Sequence, residues 1–254
     1  MQTLSDEQYL RYGRQLLLPE WGEAGQLRLA NKTVLVVGLG GLGCPAVQYL
    51  AGAGIGCLLL ADGDKVSLSN LPRQTLYQPQ QVTEPKALMA QQWVAQHNPN
   101  VRTVALERFI NGAILRQLLA GQHGHIDLVL DCTDNFTARH QLSHGCRAAK
   151  VPLISAAAVG WQGQLLPILA DGPCFHCLSG GDEVQAQSCR EVGVAGPVLG
   201  TVASMQVLLA LRLLLQLEVP PLLHRFDGRT LRWQGLRLSA DPRCPSCGSA
   251  EQQE

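Results

Sequence analysis

The chain has 254 residues, 46% of them hydrophobic and 16% charged, which supplies a large core and excludes a disordered chain. Its 20 basic residues balance 20 acidic ones, so the general electrostatic reason to expect nucleic acid, a basic domain or stripe, is missing. Nine cysteines, four of them in two CxxC pairs, behind a polar and acidic "MQTLSDEQYL" start unlike a signal or transit sequence, point to metal or thiol chemistry in a reducing compartment rather than to a disulfide framework.

Residues 5–30 predict two short helices. Ser5 before Asp6 and Glu7 makes an N-cap with an acidic first turn, and Pro19 interrupts before the second helix. From residue 33 the pattern alternates: strand "TVLVVG", helix 43–53, strand "CLLLAD" at 57–62, then the polar loop "GDKVSLSNLPRQTLYQPQQ". A helix opening with Pro85 in its first turn follows, then strand 101–106, helix 112–120, strand 126–132, helix 135–149 and strand 151–158. Short apolar strands alternating with helices predict an α/β fold, a Rossmann-like, largely parallel sheet with helices on both faces.

Beyond it, 161–170 and 222–238 alternate or turn like antiparallel strands, with a Gly/Cys-rich loop and an apolar helix between them. Residues 198–217 are long enough to span a bilayer, but Arg212, Gln206 and Ser204 lie within them. A helix buried in the core or in a dimer interface is the better reading. The organisation expected is one domain over 1–254: N-terminal helices (1–30), a nucleotide-binding core (31–170), a crossover loop (171–197), and a C-terminal helix, strands and metal knuckle (198–254).

In "GLGGLG", Gly38, Gly40 and Gly43 satisfy GxGxxG between a strand and a helix. That is a site for a nucleotide: a tight turn, close backbone approach to phosphate, and helix N-terminal amides that favour an anion. Asp62 ends the second strand, where a carboxylate accepts ribose hydroxyls. These features leave NAD and ATP both open. Asn70, Arg73 and Gln74 close together, with Lys86 after them, suit a polyphosphate. In "DCTDN", Asp131 and Asp134 fall at the carboxyl edge of the sheet; one is expected to hold Mg²⁺ and the other to cap the next helix.

Cys174 and Cys177 in "CFHC", with Cys244 and Cys247 in "CPSC", form two knuckles that predict a closed, structural Cys₄ zinc site. The competing reading is an exchanging dithiol. His176 is expected to be a bystander. Cys189, beside Arg190, has the neighbouring cation that makes a thiol nucleophilic, against the alternative of an inert loop cysteine. Cys44, Cys57, Cys132 and Cys146 read as small core residues.

Taken together, "GLGGLG", "LADGDKVSLSNLPRQTLY", "PKA", "VLDCTDN" and the paired CxxC motifs resemble the ThiF/MoeB family, bacterial relatives of the ubiquitin-activating enzymes. The likeness runs from "RYGRQLLL" (11–18) to "CPSCG" (244–248), and "SCREVGVAGPVLG" with "HRFDGRTLRWQGLRL" incline it to the ThiF type. It implies ATP held by Gly41 and its neighbours, Asp62 on the ribose, and Asn70, Arg73, Gln74 and Lys86 facing the phosphates. It also implies Asp134 on Mg²⁺, and Arg14 reaching the phosphates of a neighbouring protomer in a homodimer.

The implied reaction is adenylation of the C-terminal glycine carboxylate of a ubiquitin-like sulfur carrier. The ThiS-type carrier of thiamine thiazole synthesis is the first choice and the molybdopterin-synthase carrier the alternative. Cys189 would bond covalently with the activated carrier or its sulfur intermediate, a cysteine desulfurase or other persulfide donor would supply sulfur, and the setting would be cytoplasmic. An NAD-dependent oxidoreductase and an inactive zinc scaffold are the remaining readings. Pro72 departs from the glutamine usual in the family motif, which removes an amide donor and stiffens the path between Asn70 and Arg73.

Overall fold

The computed structural model describes residues 3–170, 172–180 and 193–248. Cys189 and Arg190, and the roles expected of them, lie outside these described residues. Two helices lead in, α1 (Asp6–Leu16) and α2 (Gly22–Ala30). The Ser5 hydroxyl accepts the Gln8 amide, and the Gln8 side chain accepts the Ser5 amide in return, a reciprocal capping box.

The core then alternates β1 (Thr33–Val37), α3 (Gly43–Ala53), β2 (Cys57–Ala61), α4 (Lys86–His97), β3 (Arg102–Leu106), α5 (Gly112–Leu119), β4 (Leu128–Asp131), α6 (Phe136–Ala148) and β5 (Leu153–Val159). β6 (Gln162–Ile168) follows, then a short α7 (Phe175–Ser179), α8 (Gly196–Leu214), β7 (Leu222–Asp227) and β8 (Arg232–Arg237). The strands form one eight-stranded sheet in the order β3-β2-β1-β4-β5-β6-β7-β8. The first five pair parallel, and β6, β7 and β8 add on antiparallel.

Strand residues alternate between two buried layers. Val34, Val36, Leu58, Leu60 and Ile154 belong to one, and Leu35, Val37, Leu59, Val129 and Leu153 to the other. Burial on both faces explains why β2 reads as an unbroken apolar run. β1 has β2 on one side and β4 on the other. The order therefore reverses between β1 and β4, and a crevice opens at their carboxyl ends, where open α/β sheets take ligands.

Three details differ from the sequence reading. Pro85 is the N-cap of α4 rather than a first-turn residue, with an extended backbone before the helix. α7 is too short to leave a periodic signal. The apolar helix begins at Gly196, because Pro197 fits its first turn. That helix is long and apolar enough to cross a membrane, but it packs against α3, β5 and β6. Its Gln206 is fully buried and bonds the carbonyls of Asp131 (3.1 Å) and Ile154 (2.8 Å). A side chain matched in this way to two strand carbonyls belongs to a protein interior.

Candidate functional site

A cavity of about 340 Å³ fills the crevice, lined by Gly38, Gly40, Gly41, Asp62, Asn70, Arg73, Gln74, Lys86 and Asp134 among others. These residues come from three separate connections and the first turn of α4, and every nucleotide-site residue expected from the sequence lines the cavity except Gly43 and Arg14. Gly43 opens α3 behind the loop, where a Cβ would lie 2.0 Å from the Gly38 carbonyl oxygen. Gly38 needs its own freedom. Its φ is +90°, and a Cβ there would lie 2.7 Å from the Cys132 carbonyl. Arg14 is exposed on α1, away from its own chain's cavity.

Asp62 is buried, with one carboxylate oxygen accepting the Leu39 amide (2.7 Å) and the other the Asp64 amide (2.8 Å). Each oxygen keeps a lone pair for a further donor. Burial pushes the carboxyl above its ordinary value, opposed by Lys86 and by those two amides. Lys86 is not a solvated surface residue: its side chain is 4% exposed and its ammonium lies 3.1 Å from Asp64. Arg73 folds back on its own turn, bonding the Ser69 carbonyl (3.0 Å) and the Asn70 side chain (2.9 Å). The turn closes through the Arg73 and Gln74 amides on the Asn70 carbonyl, so Pro72, which has no amide hydrogen, costs it nothing. The Gln74 side-chain oxygen is buried in the cavity wall and has no hydrogen-bond partner among the described residues. An orphaned buried acceptor of that kind fits a polar ligand.

At the other side, neither aspartate of "DCTDN" caps α6. Asn135 does, accepting the Ala138 amide at 2.7 Å. Asp131 is fully buried and accepts from Thr133 and from the Ser155 hydroxyl (2.6 Å), which fixes the loop that presents exposed Asp134. Among the lining residues that escaped the sequence reading are Arg108, Phe109, Thr133 and Arg139. Arg139 is nearly buried and donates to the Thr133 carbonyl at 2.6 Å. Its only signal was its place one turn after the Asn135 cap, on the same helix face.

Cys174, Cys177, Cys244 and Cys247 converge, with all four sulfurs within 4.8 Å of one another. The closest pairs are 3.4, 3.6 and 3.8 Å apart, too far for disulfides. A tetrahedral metal with sulfurs at about 2.3 Å has edges of about 3.8 Å, and the cluster matches that shape. The Asp241 amide points at the Cys177 sulfur (3.5 Å) and the Ser246 amide at the Cys244 sulfur (3.4 Å), so amide dipoles already favour negative sulfur. Burial resists ionisation of Cys177, but the amides of Asp241 and Cys174 and the neighbouring thiols outweigh it and bring the thiol down to about 7. Burial pushes Cys174 and Cys247 up. Four clustered sulfurs cannot all ionise without a cation, which a metal supplies. His176 lies outside the quartet, beside His140. Cys44, Cys57, Cys132 and Cys146 are buried.

Among solved structures, Escherichia coli MccB shares this architecture, with a TM-score of 0.81 over 97% of this chain and 74% of that chain at 20% identity. The ThiS adenylyltransferase of Escherichia coli is 41% identical over 97% of this chain and 98% of its own length. The molybdopterin-synthase adenylyltransferase of Salmonella typhimurium is 42% identical over 98% of this chain and 100% of its own. The sequence profile of the ThiF family matches residues 12–246, and with that span the chain belongs to the ThiF family.

Proposed function

We propose that this protein is an adenylyltransferase that activates the C-terminal glycine carboxylate of a ubiquitin-like sulfur carrier, with the ThiS-type carrier of thiamine synthesis as its substrate. The observation that carries the reading is the single cavity that gathers the glycine loop, Asp62, the Asn70–Gln74 turn, Lys86 and Asp134, in a chain 41% identical to a named ThiS adenylyltransferase. A hydride-transferring reading explains the glycine loop but leaves Arg73, Lys86 and Asp134 without a role.

In this reading the carrier carboxylate attacks the α-phosphorus of ATP, a bond to carboxylate oxygen forms, and pyrophosphate leaves. Amides of the glycine loop hold the phosphates and Asp62 accepts the ribose hydroxyls. Arg73 and Lys86 neutralise charge that grows on the leaving pyrophosphate, so positioning and electrostatics supply the rate. Asp134 would hold Mg²⁺, which would supply neutralisation of the phosphate charge. Arg14 would complete the site of a partner protomer in a homodimer. The thiol quartet would hold a structural Zn²⁺. Cys189 would bond covalently with the activated carrier, its thiolate attacking the acyl carbon as AMP leaves, with sulfur from a persulfide donor such as a cysteine desulfurase, in the reducing cytoplasm.

ATP–pyrophosphate exchange with Mg²⁺ tests this, run without carrier, with a ThiS-type carrier and with the molybdopterin-synthase carrier. Exchange with the first carrier alone is expected. Exchange with the second alone moves the protein to the alternative that the 42% relatives represent. No exchange with either ends the adenylation reading.

Asp62 also sets a pH dependence. Its carboxyl sits above the ordinary 3.8, so burial favours the neutral form. Its contribution to folding stability is then present below the unfolded value and lost as pH rises through the folded one. Ribose acceptance has the opposite sign, since it needs the ionised form. AMP affinity is expected to fall on acidification with a midpoint above 3.8. A midpoint at or below that value would remove Asp62 from the ribose.

A further inference from the structure

The glycine loop binds phosphate only if its amides face the cavity, and glycine-rich backbone has no intrinsic reason to hold one orientation. Two side chains outside the motif fix it. The Leu39 amide is held by Asp62 (2.7 Å), and the Leu39 carbonyl by the Tyr77 hydroxyl (2.8 Å). Cys44 adds a weaker S–H contact to the same carbonyl (3.4 Å). Tyr77 is buried, does not line the cavity, and its hydroxyl also lies 3.5 Å from the carbonyl of Lys86 at the start of α4.

In a trans peptide the carbonyl and the following N–H point in opposite directions. Anchoring the Leu39 carbonyl on Tyr77 therefore aims the Gly40 N–H the other way. Gly40 lines the cavity, and among the described residues neither its amide nor that of Gly41 has a hydrogen-bond acceptor. We infer that Tyr77 is a positioning residue: through the Leu39 carbonyl it holds the Gly40 amide toward the phosphates and keeps the loop in register with Lys86. This rests on the nucleotide reading above.

The test compares wild type, Tyr77→Phe, Cys44→Ala and the double variant in binding of ATP, inorganic tripolyphosphate and adenosine, together with kcat at saturating ATP and Tm. Losing one buried hydrogen bond of this kind corresponds to an affinity change of about three- to tenfold. Tyr77→Phe is expected to weaken ATP and tripolyphosphate by that factor, leaving adenosine unchanged and kcat within about twofold of wild type. Cys44→Ala alone should have a small effect, and the double variant should exceed Tyr77→Phe, because the carbonyl then has no side-chain donor. Equal weakening of adenosine and ATP would mean general loosening of the pocket and would overturn the inference, as would a lower Tm with unchanged phosphate affinity. If wild type binds ATP and Tyr77→Phe binds it as well, the inference alone fails. If wild type binds neither ATP nor tripolyphosphate, the nucleotide reading fails first and takes the inference with it.

Discussion

Lys86→Met is expected to lower the rate of carrier adenylation by about 10²–10³-fold, or ~3–4 kcal/mol, with the fold intact. The size follows from where the ammonium sits. Its side chain is 4% exposed against Asp64 at 3.1 Å, in a cavity wall where a fixed cation meets little water and acts at low effective dielectric. Removing a charge from such a place often unfolds a protein, because its partner is left buried and unpaired. Here the partner is 43% exposed, so Asp64 keeps its hydration, and methionine fills most of the lysine's volume. Loss of rate should therefore separate from loss of stability. The measurement is ATP–pyrophosphate exchange at saturating carrier beside a thermal melt. A rate within a few-fold of wild type would remove Lys86 from the transition state. The same loss is expected for Arg73→Ala, whose guanidinium is anchored by Ser69 and Asn70 and is braced by no buried carboxylate among the described residues.

The variant also reaches Asp62. Lys86 is the main charge that opposes the burial of that carboxyl. Without it the Asp62 pKa should climb further, and the acid limb of AMP binding should move to higher pH. A pH profile of Lys86→Met thus checks two residues together.

Much of this site was legible because its parts are local. A glycine run between two apolar stretches and an aspartate at the next strand end are read directly from spacing, and the sheet brings them together because β1 and β2 are adjacent. What stayed hidden depends on packing. Nothing in the sequence distinguishes Arg139 from a solvated helix arginine until α6 lies against the sheet and turns it onto the Thr133 carbonyl. Tyr77 reads as a polar-loop residue, yet it is 6% exposed beneath the glycine loop. Asp131 and Asp134 look interchangeable three positions apart. Only burial separates them, one enclosed by Ser155 and Thr133 and the other open to the cavity. The CxxC pairs were legible as a pair of pairs, but not what they hold in place.

That consequence gives the second large effect. Chelation, or Cys244→Ser, is expected to release one metal per chain and lower Tm by roughly 8–16 °C. A ligand at about a thousand times its Kd contributes about 4 kcal/mol, and each kcal/mol moves a chain of this size by about 2–4 °C. The thiols bring together segments 70 residues apart, so a bound metal would tie the segment after β8 back onto α7. From α7 the connection continues inward. The Phe175 amide bonds the Ser143 hydroxyl of α6 (3.0 Å), Phe175 packs edge-on against Phe136, and the Arg139 guanidinium lies 6.0 Å from the Phe175 ring. α6 is capped by Asn135 and carries Arg139, so it forms one wall of the nucleotide cavity. Metal loss should therefore raise the KM for ATP as well as lower Tm, and Zn²⁺ added back to the chelated protein should restore both. Metal affinity should fall with acidification, because protons compete for the sulfurs. A full metal complement in Cys244→Ser would show that the quartet is not the ligand set. A normal melt and a normal KM after complete metal removal would leave the cluster without a structural role.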